Sequence, residues 1–177
     1  MSFIIEKLMI DGEGVMNEAR LEKVNDLAAE LHFGQKRKNG EDYISHPRAV
    51  VEIARRKLVV YEVVYNFKNP EIVLAICYLH DVIEDCGITE IELCNRLVEL
   101  DYSREDAVKI SHNVKLLSRM SKEEDIIGYL NGIFTSSYAI FVKKCDLEHN
   151  MSDLKPSNLL DKYKLIYYLL NNTISPM

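Results

Sequence analysis

The stretch "YLHDVIED", Tyr78 to Asp85, follows the apolar run "IVLAIC" and sets His80 beside Asp81, Glu84 and Asp85. A buried charge is costly unless it is paired or bound to a metal. Either a helix surfaces into water here, or these side chains hold something. On a helix, His80 and Asp81 point about 100° apart, so both can reach one point beyond the helix surface. Glu84 lies one turn on from both, and Asp85 one turn on from Asp81. A divalent metal takes imidazole and carboxylate ligands, usually from more than one element. "YISHP" supplies His46, just before a helix and behind a glycine-containing loop. "KKCDLEHN" supplies Asp146, with His149 and Asn150 one turn further along. His46, His80, Asp81 and Asp146 then form a set on three elements. Its two carboxylates would neutralise a divalent cation and leave positions open for water and a phosphate oxygen.

Taken singly, each histidine reads as an ordinary polar residue, and the "KRK" of "QKRKNG" as a solvated charge run. The set in this order, with a basic loop beside it, is what points to chemistry. Composition narrows the class. The chain has 177 residues, 47% of them hydrophobic, which suffices for one sizeable core and fits one domain over 1–177. Its 22 Lys and Arg against 28 Asp and Glu give a formal charge of -6, which argues against non-specific nucleic-acid binding but not against an anionic small substrate. Cys77, Cys86, Cys94 and Cys145 form no CxxC pair and read as reduced thiols of a cytoplasmic protein. "MSFIIEKLMIDGEG" has no basic leader, and no stretch stays apolar long enough to cross a bilayer, so no membrane partner is expected.

The elements that must position these residues are helical throughout. "MNEARLEKVNDLAAELHF" repeats apolar residues at Leu21, Val24, Leu27, Ala28 and Leu31, one face of an amphipathic helix. "GQKRKNGEDYISHP" is punctuated as a loop, with a helix beginning near Pro47 and running through "RAVVEIARRK". "LVVYEVVYNF" suits either a strand or an extension of that helix. Asn69 before Pro70 starts a helix that runs through "HDVIED" to Gly87. Thr89 and Glu92 have the spacing of a capping box, and Ser103 with Asp106 gives a similar signal. "SKEEDIIGYLNGIF", "SSYAIFVKKCDLEHNMSDL" and "NLLDKYKLIYYLL" complete the series, with Pro156 breaking the chain before the last. The expected fold is a compact all-α domain without repeats or linkers.

The stretches "AAELHFGQKRKNGEDYISHP", "YLHDVIED" and "FVKKCDLEHNM" together resemble the HD superfamily of metal-dependent phosphohydrolases. More narrowly, they resemble the hydrolase domain of RelA/SpoT-type alarmone enzymes and the stand-alone small alarmone hydrolases, among them the metazoan SpoT homologues. The resemblance covers about residues 16–170 and leaves 1–15 as an N-terminal extension. It implies that His46, His80, Asp81 and Asp146 hold manganese; the residues alone would also permit iron, cobalt or zinc. It implies that Glu84 and Asp85 are the catalytic acidic pair, and that Arg37, Lys38, Lys143 and Asn150 bind substrate. It suggests Lys162, Lys164 or Tyr168 for the same pocket; Lys115, Arg119 and Lys122 are further candidate phosphate contacts. The implied substrate is guanosine tetra- or pentaphosphate (ppGpp or pppGpp), losing its 3′-diphosphate as pyrophosphate to leave GDP or GTP.

Several positions depart from the family pattern. Leu147 stands where an arginine is usual, Asn39 replaces a serine, and Cys86 a threonine. Residues 89–121 lack the usual Phe-Gly and Val-Thr landmarks. The chain's length leaves no room for a synthetase domain, so a hydrolase alone is expected. His32 and His149 match family histidines that are not ligands, and are expected to support the site or pack beside it. His112 matches nothing and reads as a surface residue. Two rival readings are a hydrolase of the same fold acting on NADPH or an adenosine alarmone, and a helical regulatory protein that has lost its chemistry.

Overall fold

The computed structural model describes residues 16–60, 67–119, 125–152 and 154–172. Among these are nine α-helices and no strand; one isolated bridge, Lys36 to Asp42, ties the base of the basic loop. The helices are α1 (Glu18–Leu31), α2 (Ser45–Val60), α3 (Pro70–Leu79), α4 (Val82–Cys86), α5 (Glu90–Glu99), α6 (Arg104–Leu117), α7 (Ile126–Phe134), α8 (Ser137–Ser152) and α9 (Asn158–Asn172). No helix among the described residues is long and apolar enough to cross a membrane. The N-terminal extension, the middle of "LVVYEVVYNF" and Lys122 lie outside the described residues.

Helix α3 is the axis of the fold. Eight of its ten residues, Glu71 to Cys77 and Leu79, are buried, and α1, α2, α6 and α8 all pack against it. Because it is apolar on every side, it is stable only as the enclosed member of a bundle. Its start is fixed locally. The Asn69 side chain accepts a hydrogen bond from the Glu71 amide, and Pro70 occupies the first turn, where its missing N–H costs nothing. Glu71 carries a carboxylate into the core, where the Arg20 guanidinium grips it with Nε and with Nη2, the latter at 2.9 Å from Oε2. The Asn17 amide donates to the same Oε2 at 3.0 Å, and Tyr102 lies under the guanidinium at 4.4 Å.

The other helix starts follow the same local chemistry. Thr89 and Glu92 form a full capping box at α5, and Ser103 caps α6 through the Asp106 amide. Two boundaries differ from the sequence expectation, and both matter to the site. Helix α2 begins at Ser45, so Pro47 sits inside its first turn and His46 is helical rather than in the preceding loop. The expected continuous helix through "HDVIED" is broken: α3 ends at Leu79, and α4 begins at Val82 and closes at Gly87, whose φ of 71° suits glycine at a helix end. Asp81, at φ -104° and ψ -6°, turns the chain between them.

Candidate metal centre

The break after Leu79 brings His80 and Asp81 to one point. Their Nε2 and Oδ2 atoms are 3.0 Å apart. From the first turn of α2, His46 brings its Nε2 to 3.1 Å from His80 Nε2 and 3.6 Å from Asp81 Oδ2. From the middle of α8, Asp146 brings Oδ1 to 3.1 Å from His46 Nε2 and 3.7 Å from His80 Nε2. The ligand atoms of His46, His80 and Asp81 all lie within 4.8 Å of one another. Donors bonded at about 2.1 Å to one ion sit roughly 3.0–3.4 Å apart for angles between 90° and tetrahedral. The spacings here match that range or slightly exceed it, so these residues suit a divalent cation.

The surroundings aim the imidazoles. His80 Nδ1 lies 2.8 Å from the Cys77 carbonyl oxygen, to which it donates, and so its Nε2 faces the cluster. His46 Nδ1 lies 2.7 Å from His149 Nδ1, one turn beyond Asp146 on α8. Asp146 is held from both sides: Lys143 Nζ donates to Oδ2 at 2.8 Å and Asn150 Nδ2 to Oδ1 at 2.6 Å.

The electrostatics favour a cation. Burial opposes charge on His80, but the carboxylates of Asp81 and Asp146 outweigh it and raise its pKa to about 10. Burial pushes the Asp146 carboxyl up, while the Lys143 ammonium and the two histidines pull it well below its ordinary value. Asp81 is also lowered, burial being outweighed by His80. Lys143 is half-buried, and although desolvation works against its charge, Asp146 holds it well above its ordinary value. The field that keeps a proton on His80 is the field a divalent cation would feel, and a cation taking that place must displace the proton.

Beside this cluster, burial raises both Glu84 and Asp85, and the Asp81 charge adds to each shift. Glu84 Oε2 also accepts the Arg119 amide at 2.7 Å, which ties α4 to the end of α6. The two acids thus have raised proton affinities next to a cluster that prefers positive charge, an arrangement that suits proton transfer.

The structure gathers the candidates unevenly. His46, His80, Asp81 and Asp146 cluster together, and Lys143 and Asn150 join them through Asp146. In the basic loop Lys38 is exposed, Arg37 is half-buried, and Lys36 pairs with Asp42 at 2.6 Å. Lys162, Lys164 and Tyr168 lie on exposed positions of α9. The α9 side chain that feels the charges of Asp146, Lys143, Asp81 and Glu84 is Tyr163. His112 is on the surface, 3.4 Å from Glu90. Leu147 is buried, so the position where an arginine is usual faces the core rather than the cluster.

Sequence reasoning passed over Tyr43, whose hydroxyl donates to Asp81 Oδ2 at 2.7 Å, and Tyr129, which lies beneath Lys143. The only signal for Tyr43 was its place three residues before His46 in "YISHP". Tyr129 falls in a segment with no motif to mark it.

No family model matches the chain. It is 32% identical over 143 residues to a guanosine-3′,5′-bis(diphosphate) 3′-pyrophosphohydrolase of Borreliella burgdorferi, a match covering 79% of this chain and 20% of the relative. It is 29% identical over 153 residues to a GTP pyrophosphokinase rsh of Brucella ovis, covering 78% and 17%. A 3′-pyrophosphohydrolase of Haemophilus influenzae is 29% identical over 129 residues, covering 72% and 18%. The chain spans about a fifth of the length of the curated relatives it matches.

Proposed function

We propose that this chain, homologous to a region of the RelA/SpoT-type hydrolases and synthetases, is a metal-dependent phosphohydrolase. Its reaction is removal of the 3′-diphosphate of guanosine tetra- or pentaphosphate, giving GDP or GTP and pyrophosphate. The observation that carries this reading is the convergence of His46, His80, Asp81 and Asp146 beside two acids of raised proton affinity.

In this reading those four side chains hold a divalent cation, with manganese the first candidate. When bound, the ion supplies Lewis-acid polarisation of a phosphoryl oxygen and lowers the pKa of an adjacent water. The chain's own residues do the rest. One of Glu84 and Asp85 accepts the proton of the water that attacks the phosphorus nearest the ribose. The other gives a proton to the departing 3′ oxygen, a role suited to a carboxyl whose proton affinity burial and Asp81 raise. The bond broken joins that oxygen to phosphorus, the bond formed joins water oxygen to phosphorus, and protons balance across the acid pair. Lys143 and Asn150 stabilise Asp146 and face the incoming phosphates, while Arg37 and Lys38 offer positive charge for the second diphosphate.

The test is incubation of the purified protein with guanosine tetraphosphate and manganese, followed by anion-exchange separation of the nucleotides. GDP and pyrophosphate in equal amounts are expected. Intact tetraphosphate in the presence of bound metal would move the search to other phosphorylated nucleotides.

A further inference from the structure

We propose that His32, Gln35 and Tyr43 form one positioning clamp, which runs from the backbone of Asp85 to the carboxylate of Asp81 and fixes the two relative to each other. The inference rests on reading the cluster as a metal site. Tyr43 donates its hydroxyl to Asp81 Oδ2 at 2.7 Å, and this is the oxygen that lies 3.0 Å from His80 Nε2. A donor on a liganding carboxylate sets the rotation of that carboxylate, and with it the direction of the lone pair offered to the ion.

Tyr43 is itself held by its ring. It stacks on His32 with centroids 4.6 Å apart and planes 29° apart, and meets His46 edge-on at 5.9 Å. His32 is 3% exposed. Its Nδ1 lies 2.8 Å from Gln35 Oε1. The orientation of Gln35 follows from its other end, where Nε2 donates to the Asp85 carbonyl oxygen at 3.1 Å. Gln35 Oε1 is therefore the acceptor, His32 carries its proton on Nδ1, and Nε2 is a bare lone pair. That atom is buried and has no hydrogen-bond partner among the described residues. A bare lone pair there is far less costly than an unpaired N–H, so the tautomer Gln35 imposes is the one the burial tolerates.

The clamp closes on itself. The Asp85 amide donates to the Asp81 carbonyl at 2.8 Å, so the path Asp85, Gln35, His32, Tyr43, Asp81 returns to its start. His32 and Gln35 act through Tyr43 and are positioning residues. A core built only for packing would fill this space with apolar side chains and bury no unpartnered imidazole nitrogen.

Metal-free protein titrated with manganese, followed by electron paramagnetic resonance, tests the clamp without reference to any nucleotide. Tyr43→Phe keeps the ring and removes the hydroxyl; it is expected to weaken manganese binding about tenfold while the melting temperature of the metal-free protein stays put. Gln35→Leu weakens binding by a smaller factor, and the double variant binds no worse than Tyr43→Phe alone, because Gln35 acts through the hydroxyl. Nitrogen-15 shifts of His32 should show the proton on Nδ1 in the wild type. Unchanged affinity in Tyr43→Phe, additive losses in the double variant, or a His32 protonated on Nε2 would each overturn the clamp. A wild-type chain that took up neither manganese nor zinc would remove clamp and site together. If the variants loosened manganese as stated while guanosine tetraphosphate stayed intact, the substrate reading would fall and the clamp would stand.

Discussion

Helix α3 carries ionisable groups into the core at both ends, and the two ends treat them differently. At its start, Glu71 meets the guanidinium of Arg20, the amide of Asn17 and the ring of Tyr102, so that one negative charge is matched by one positive charge and its lone pairs are occupied. At its finish, Asp81 and Asp146, with Glu84 and Asp85 beside them, have Lys143 and a proton on His80 as their cations. The first arrangement is complete in itself. In the second, Glu84 and Asp85 lie at the exposed edge, and the nitrogen and oxygen atoms of the inner residues point at one another across 3.0–3.7 Å. The same helix therefore shows, at one end, a buried charge answered within the fold and, at the other, a cluster that suits a divalent cation.

The sharpest way to test this contrast is at the chemistry. Asp85→Asn leaves the four candidate ligands in place, and is expected to cut kcat by roughly 10²–10⁴-fold while manganese binding persists. Nucleotide turnover and metal titration on the same sample would check it; a variant of undiminished rate would take Asp85 out of the acid pair. Next in size is Glu71→Ala, which strands the Arg20 guanidinium in the fold. It should cost about 3–5 kcal/mol, a fall of roughly 6–20 °C in Tm, without changing the affinity for manganese in the folded protein. The pH dependence follows from the sign of the shift. Burial works to raise the Glu71 pKa, but the bonds from Arg20 and Asn17 hold it below the ordinary 4.5. Its contribution is then complete above that value and is lost as pH falls through the lower folded value. Acid titration of Tm should show a loss below pH 4.5 in wild type that is diminished in Glu71→Ala.

A third experiment sets the ends against each other directly. Manganese at a hundred times its dissociation constant should stabilise the wild type by about 2.7 kcal/mol. Asp81→Asn should abolish this increment and Glu71→Ala should keep it. Equal increments in all three would place metal binding elsewhere on the molecule. A smaller effect is expected at His149, where replacement by Phe removes the partner of His46 Nδ1 and should weaken manganese binding about tenfold. An unchanged titration curve would show that His46 is oriented by packing alone.

What could be read from the chain follows the range of the forces involved. Asn69–Pro70 and the Thr89–Glu92 box mark their helix starts because a cap is settled within four residues. The types and order of His46, His80, Asp81 and Asp146 mark a metal-like set for a similar reason, since imidazole and carboxylate have few other uses in such company. The turn at His80–Asp81 was hidden, because the apolar period of "IVLAIC" continues smoothly into "HDVIED" and nothing in it breaks a helix. The start of α2 was displaced because proline is tolerated throughout a first turn. Tyr43, Gln35 and Tyr163 were invisible as site residues for a different reason. Tyrosine and glutamine serve everywhere in proteins, and their part here depends on approach across 38 residues for Tyr43 to Asp81 and 50 for Gln35 to Asp85.

The enclosure of α3 also has a meaning for how the protein is made. Two of the helices that cover it, α1 and α2, precede it in the chain, whereas α6 and α8 follow. At a synthesis rate of about 5–20 residues per second, Asp146 emerges roughly 3–13 s after Asp81. During that interval an apolar helix destined for the core is half clothed, and His46, His80 and Asp81 stand without Asp146 beside them. On the proposed reading, metal loading would await α8: the helix that closes the core is the one that brings Asp146 to the cluster.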